Sequence, residues 1–333
     1  MLRWILAGLC ALVLAGTAGI EFGRSLLGPV SEREEIRLFR VDSGASLSAV
    51  AQRLEAEGLV RSARATTLLA RTRELDQKLQ VGEYELSPHL AAEEVLEIIT
   101  SGRVKTWTVT FPEGSRAFDI AGRLESAGLV DTAEFLALVS DKEFAAALGV
   151  QASGLEGYLY PDTYHLPRGL SPREIARIMV RQFDRVWNAE ISEHAKGSKL
   201  SREEIVILAS IVEKETGDAA ERPLIASVFL NRLGRGMRLE TDPTVIYGIP
   251  DFDGNLRRKH LKDASNPYNT YQIQGLPPGP IANPGAAALR AVVQPETSEY
   301  LYFVSRNDGT HHFSTNYRSH VNAVNRYQKR RRR

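Results

Sequence analysis

The sequence predicts an α+β fold, on three observations. Strand-like alternation (IRLFRV, 36–41; KTWTVTF, 105–111) twice precedes a short amphipathic helix. From residue 171 onward, longer capped helices succeed one another. After residue 235 comes a long stretch rich in turn formers and aromatics, the texture of functional loops rather than of disorder. At 333 residues, 43% apolar and 25% charged, the chain holds two domains of ordinary size, each with its own core. The net charge of +1 leaves no dominant basic face, so no nucleic-acid partner is expected.

Taken in order, the first element is apolar. Trp4 to Ile20 carries no charge, and seventeen helical residues reach roughly 26 Å, enough to cross a bilayer core. The segment is either a single-pass anchor (1–25) or a cleaved signal peptide, for which Gly16-Thr17-Ala18 passes loosely as a cleavage site. The anchor is the reading adopted, and under both everything after about residue 25 is exported. The only cysteine, Cys10, follows Leu9 where a lipid-attachment signal wants a small residue, and alone it forms no intramolecular disulfide. Residues 26–35 are a polar linker.

An internal repeat follows. Residues 44–60 (GASLSAVAQRLEAEGLV) and 114–130 (GSRAFDIAGRLESAGLV) coincide at an offset of 70 without a gap. Gly58 and Gly128 close the two helices because glycine accepts the left-handed conformation. VGEYEL (81–86) reads as a return strand and AAEEVLEIITSG (91–102) as a further helix. The repeat is either a plain duplication or a binding surface for an extended polymer. Beyond residue 150, SPREIARIMVRQFDRVW (171–187) is an amphipathic helix. SREEIVILASIVEKET (201–216) opens with a capping box, Ser201 with Glu204, and ERPLIASVFLNRL (221–233) is another helix. The basic run Lys329–Arg333 reads as a solvated tail, with anionic lipid or polymer as the other reading.

The chemistry is expected at Glu215. Ile207, Leu208, Ile211 and Val212 form a stripe whose next position is Glu215, an acid on an apolar face. Burial disfavours the ionised carboxyl and raises its pKa, the condition for a general acid near neutral pH. The alternative is an ordinary salt bridge to Arg222 or Arg232, or a frayed, exposed helix end. Glu213 lies about 200° round the helix from Glu215. The two therefore make no tight carboxylate pair of the kind that hydrolysis uses, and the nearest other partner is Asp242, on a distant loop. A single acid in an aromatic cleft suits chemistry that activates no water. His311, His312 and His320 match no standard metal spacing, so no metal or cofactor is expected. Tyr247, Tyr268, Tyr271 and Asn269 supply the aromatic faces and polar groups that hold sugar rings, core packing being the alternative for each.

Eight segments in register, among them EGYLYPDTY (156–164), ASIVEKET (209–216), GMRLETDPTVIYG (236–248), NPYNTY (266–271), GLPPGPIANPG (275–285) and HHFS (311–314), resemble the endolytic murein transglycosylase (MltG or YceG-like) family. The resemblance implies an inner-membrane protein with one N-terminal span, a LysM-like subdomain (36–104) and an extracytoplasmic YceG-like catalytic domain (105–327) before the tail at 328–333. It implies cleavage of the MurNAc–GlcNAc bond of nascent peptidoglycan strands without water, Glu215 protonating the leaving oxygen and the 6-hydroxyl closing to a 1,6-anhydro product. It also implies cell-wall synthases (penicillin-binding proteins) as partners. Asn231, Thr241, Asp242, Tyr247, Tyr268, Asn269, Tyr271 and His312 carry over as cleft-lining residues. Glu240 stands where many relatives have Gln. Two rivals are a non-catalytic glycan-binding scaffold of a synthesis complex and an aminodeoxychorismate lyase, which would need pyridoxal phosphate on a lysine.

Overall fold

A computed structural model describes residues 21–102 and 104–329. The apolar run at 4–20, Cys10 and most of the basic tail lie outside the described residues, and so does the expected span. Among the described residues no helix is long and apolar enough to cross a membrane. The chain is mixed α+β, with small two-stranded sheets among the described residues, and divides into two compact units.

The first unit comprises the chain up to Thr108 plus His165–Ser171. It holds β1 (Arg37–Val41), α1 (Leu47–Ala56), α2 (Ala63–Thr72), β2 (Gly82–Leu86) and α3 (Ala92–Thr100). β1 and β2 are antiparallel, with Phe39 opposite Tyr84. Both rings are fully buried, packed with Leu54, Leu96 and Ile99 from the helices. Ser46 caps α1 by accepting the Ala49 N–H, satisfying one of the free donors of the first turn. Gly58 (φ 68°) ends the same helix in the left-handed conformation, and Gly128 (φ 68°) repeats the device in the second copy.

The second unit comprises Val109–Tyr164 and everything from Pro172. β3 (Thr106–Thr110) pairs with β4 (Thr163–Pro167); two of the three chain crossings between the units fall within these strands, and the third falls between Ser171 and Pro172. Then come α4 (Ala117–Ser126), α5 (Thr132–Val139), α6 (Lys142–Ala147), α7 (Pro172–Val186), α8 (Arg202–Glu215) and α9 (Arg222–Gly234). They are followed by α10 (Asp242–Tyr247), α11 (Ala286–Val293), the antiparallel hairpin β5 (Tyr302–Ser305) and β6 (His311–Ser314), and α12 (Tyr317–Val324).

α8 is the hub. It packs on α9, α10 and α11, and every residue from Ile205 to Glu213 is buried. The expected capping box is present: Ser201 accepts the Glu204 N–H, and Glu204 accepts the Ser201 N–H. A helix covered on all sides has no single apolar stripe, so the sequence reading of a one-faced helix holds only in part. Glu213, placed by that reading away from the apolar stripe, is the more buried of the two acids.

The loop 275–285 is laced onto α8 and onto the turn of the second repeat. Ser210 accepts the Ile281 N–H at 3.0 Å, and Asn283 exchanges backbone hydrogen bonds with Gly114 and Ser115, each at 2.9 Å. At Gly114 an added Cβ would lie 3.4 Å from both the Glu213 and Lys214 side chains, whereas nothing lies within 4 Å of the equivalent point at Gly44.

Candidate active site

Glu215 is the last residue of α8; Thr216, in extended conformation, breaks the helix. The carboxyl faces the start of α10, where the Thr241 hydroxyl donates to Glu215 Oε1. Thr241 is fixed in turn: its N–H donates to Thr270 Oγ1 at 3.0 Å, and its carbonyl accepts from Thr244 Oγ1 at 2.8 Å. Glu215 forms no ion pair with Arg222 or Arg232. Arg222 binds Glu213 at 2.7 Å. Arg232 donates to the carbonyls of Leu301 (2.7 Å) and Leu239 (2.8 Å) and pairs with Glu240 at 3.4 Å.

Glu215, Thr241, Asp242, Tyr271, Tyr302 and His320 line one cavity of about 320 Å³. Glu215 keeps part of its surface open to it, yet protein packs closely around the carboxyl. Burial raises the group to about 7, with Asp242 adding to the rise and the Thr241 hydrogen bond, His311 and Arg232 opposing it. A carboxyl poised there is both acid and base near neutrality. Tyr271 donates to Asp242 Oδ1 at 2.7 Å, and burial, followed by that bond, keeps its phenol protonated. Glu240 has a left-handed backbone (φ 51°) and turns its charge to Arg232, with its carboxylate half-exposed.

The structure thus brings Thr241, Asp242 and Tyr271 to Glu215. Tyr247 and Tyr268 stack against each other with ring centres 4.8 Å apart, in a different cavity of about 340 Å³. Asn231 and Asn269 support loops: Asn231 Nδ2 donates to the carbonyls of Ser298 (2.8 Å) and Tyr300 (3.0 Å), and fully buried Asn269 donates to those of His260 (3.0 Å) and Asp263 (2.7 Å). His312 lies against Tyr327, 5.7 Å between rings. Successive strand residues face opposite ways, and it is His311 that turns the other way, its Nδ1 2.7 Å from Glu221 Oε2.

Two residues were not singled out for this role from sequence. His320 lies in the Glu215 cavity, stacked on Tyr302 (5.1 Å, 23°), with its Nδ1 buried and without a hydrogen-bond partner among the described residues. Burial, then Arg232, lowers its pKa, so the ring is neutral at pH 7. Glu156 is the other. Burial raises its carboxyl to about 7, and it accepts from the Ala117 N–H (3.1 Å), Asn283 Nδ2 (2.8 Å) and the Tyr247 hydroxyl (3.3 Å). No cluster of three or more His, Cys, Asp or Glu among the described residues is arranged to hold a metal.

The fold and the cavity define a mixed α+β protein that presents one weakly acidic carboxyl, at a helix end, to a cleft of hydroxyl, aromatic and imidazole groups. Residues 39–326 match the YceG-like family, and the chain belongs to it. It is 30% identical over 323 residues to a protein of Bacillus subtilis (strain 168) named endolytic murein transglycosylase, covering 92% of this chain and 89% of that one. A protein of the same name from Streptococcus pneumoniae (strain D39) is 29% identical over 311 residues; the match covers 84% of this chain and 56% of the longer relative. The crystal structure of a yceG-like protein from Listeria monocytogenes superposes with a TM-score of 0.60 at 30% identity, over 87% of this chain and all of that one.

Proposed function

We propose that this chain is a lytic murein transglycosylase of lyase type, with Glu215 as its acid and then its base. The carrying observation is the Glu215 carboxyl, pushed to about 7 and held by a single hydroxyl donor in an open cavity. The names of the relatives supply the substrate class. Protonated Glu215 gives its proton to the oxygen between MurNAc C1 and GlcNAc O4, and the C1–O bond breaks. The positive charge left at C1 is taken up by the 6-hydroxyl oxygen of the same MurNAc, whose proton passes to the Glu215 carboxylate. The acid is regenerated, no water is consumed, and a 1,6-anhydroMurNAc end results. Thr241, Asp242 and Tyr271 line the cavity around the reacting bond.

The wider reading follows the sequence. Residues 1–25 anchor the chain in the inner membrane, 36–104 form a LysM-like subdomain, and 105–327 form an extracytoplasmic catalytic domain. That domain works on strands as the cell-wall synthases extend them and terminates elongation. The strand-helix-helix-strand order of β1 to β2 supports the second of these assignments.

One observation favours a second reading: Asp242 lines the same cavity as Glu215, and two carboxyl groups are the apparatus of hydrolysis. Mass spectrometry of fragments released from purified peptidoglycan separates the two. Anhydro ends that vanish with Glu215→Gln are expected; reducing ends from the wild type would replace lytic cleavage with hydrolysis, and wild-type release by Glu215→Gln would remove the assignment.

A further inference from the structure

Two neighbouring residues at the end of α8 open onto different hollows. Glu215 lines the cavity described above, and Lys214, about 100° round the helix, lines a larger one of about 710 Å³ together with Pro243, Ile246 and Tyr247. α10 runs between them. Its first residue, Asp242, lines the acid's cavity and its last, Tyr247, lines the other, a helix length of about 9 Å. The larger hollow shares Arg116, Phe118 and Tyr247 with the 340 Å³ cavity that contains Glu156 and Tyr268.

Phe118 lines both hollows and is 63% exposed. It lies in the first turn of α4, inside the second copy of the repeat; at the corresponding place the first copy has the polar Ser48. A ring left in water forgoes the favourable transfer that burial would bring. Here that ring lines the same hollow as the tilted pair Tyr247 and Tyr268, together with the polar side chains of Arg116, Ser140 and Glu156. One exposed ring and two half-buried ones beside such polar groups fit one ligand chemistry well: a saccharide ring, apolar on its C–H faces and polar at its rim.

We infer that the surface formed by Phe118, Tyr247 and Tyr268 is a second saccharide subsite, on the other side of α10 from Glu215, which holds a more distant sugar of the strand being cut. This rests on the reading of Glu215 as the acid. The subsite makes the enzyme selective for length: a strand long enough to cross α10 gains the stacking on Phe118, and a short fragment bound only at Glu215 does not.

Phe118→Ala is the test, because the side chain is exposed and its loss leaves the core intact, with an unchanged melting temperature as the control. The full chain is assayed on long uncrosslinked glycan strands and on their shortest cleavable fragments. Expected are a fall in kcat/KM of about tenfold on the strands, no change on the fragments, and recovery with Phe118→Trp. Equal loss on both substrates, or none on the strands, overturns the subsite. Binding of long strands by Phe118→Ala in the inactive Glu215→Gln chain is measured in parallel: affinity weakened about tenfold supports the subsite and unchanged affinity overturns it. Should Glu215→Gln remain active, the assignment of the acid falls, and the binding comparison still decides the subsite.

Discussion

Arg222 donates to Glu213 at 2.7 Å with both side chains buried, and this pair separates the tasks of two glutamates only two residues apart. Glu213 also accepts the Gly285 N–H at 3.0 Å, tying the loop 275–285 to the hub helix. Glu213→Gln therefore leaves a buried guanidinium with Glu113, 3.8 Å away, as its one remaining ion-pair partner among the described residues. The expected loss is about 3 kcal/mol of unfolding free energy, read from a denaturant titration, with a near-normal rate per folded molecule.

Activity is expected to fall as pH rises through about 7. Glu215 must carry the proton before the bond breaks, its carboxyl sits at about 7, and above that value the protonated fraction shrinks tenfold per unit. A profile of initial rate against pH between 5 and 9 checks this. A rate that keeps climbing to pH 9 would contradict the role.

The same carboxyl predicts a stability effect of opposite sense to the one at Glu213. Its pKa is about 7 folded and near the ordinary 4.5 unfolded, so between these values the folded state binds more protons. Its contribution is complete below about 4.5 and is lost as pH rises through 7. Glu215→Gln cannot ionise, so it should melt higher than the wild type at pH 8, with the difference vanishing near pH 4.5 in paired melting curves.

Thr241 tunes the acid. Its hydroxyl donates to the carboxylate and holds the pKa below the value that burial alone would set. Thr241→Val should move the alkaline limb of the rate profile to higher pH, and Thr241→Ser should return it. An unmoved limb in the valine variant would show that the hydroxyl does no tuning.

His320 lies in the same cavity with a buried, unpartnered ring nitrogen. An orphaned polar atom of this kind costs about 1–3 kcal/mol, so His320→Phe, which keeps the stacking on Tyr302, should melt at or above the wild type. If the nitrogen instead meets the sugar, the same variant should lose turnover, and His320→Asn should recover part of it. Loss of stability together with full activity would reverse the assignment.

The sequence carried the local features because they depend on neighbours within a turn or two. The capping box of α8, the glycine-ended repeat helices and the strand at 82–86 stand where spacing puts them. What depends on contacts between distant residues was not legible. Glu156 sits in a turn-rich stretch without periodicity, and its partners Ala117, Tyr247 and Asn283 lie 39, 91 and 127 residues away. The parity of the β6 strand decides which of His311 and His312 turns towards Glu221, and a four-residue strand has too little alternation to show it. α5 left a signal that the reading passed over, Asp131 capping its first turn by accepting the Glu134 N–H.

Gly44 and Gly114 occupy the same place in the two copies, one bordered by open space and the other pressed against the end of α8. The twin motifs are therefore under unequal constraint. The turn at 44 has room to accept larger residues beside it, whereas any shift of the turn at 114 is transmitted to the last turn of the helix that ends in Glu215. A chimaera carrying the first motif in both places would ask a sequence tuned for a free turn to serve as a mechanical stop, and the aim of the acid would drift with it.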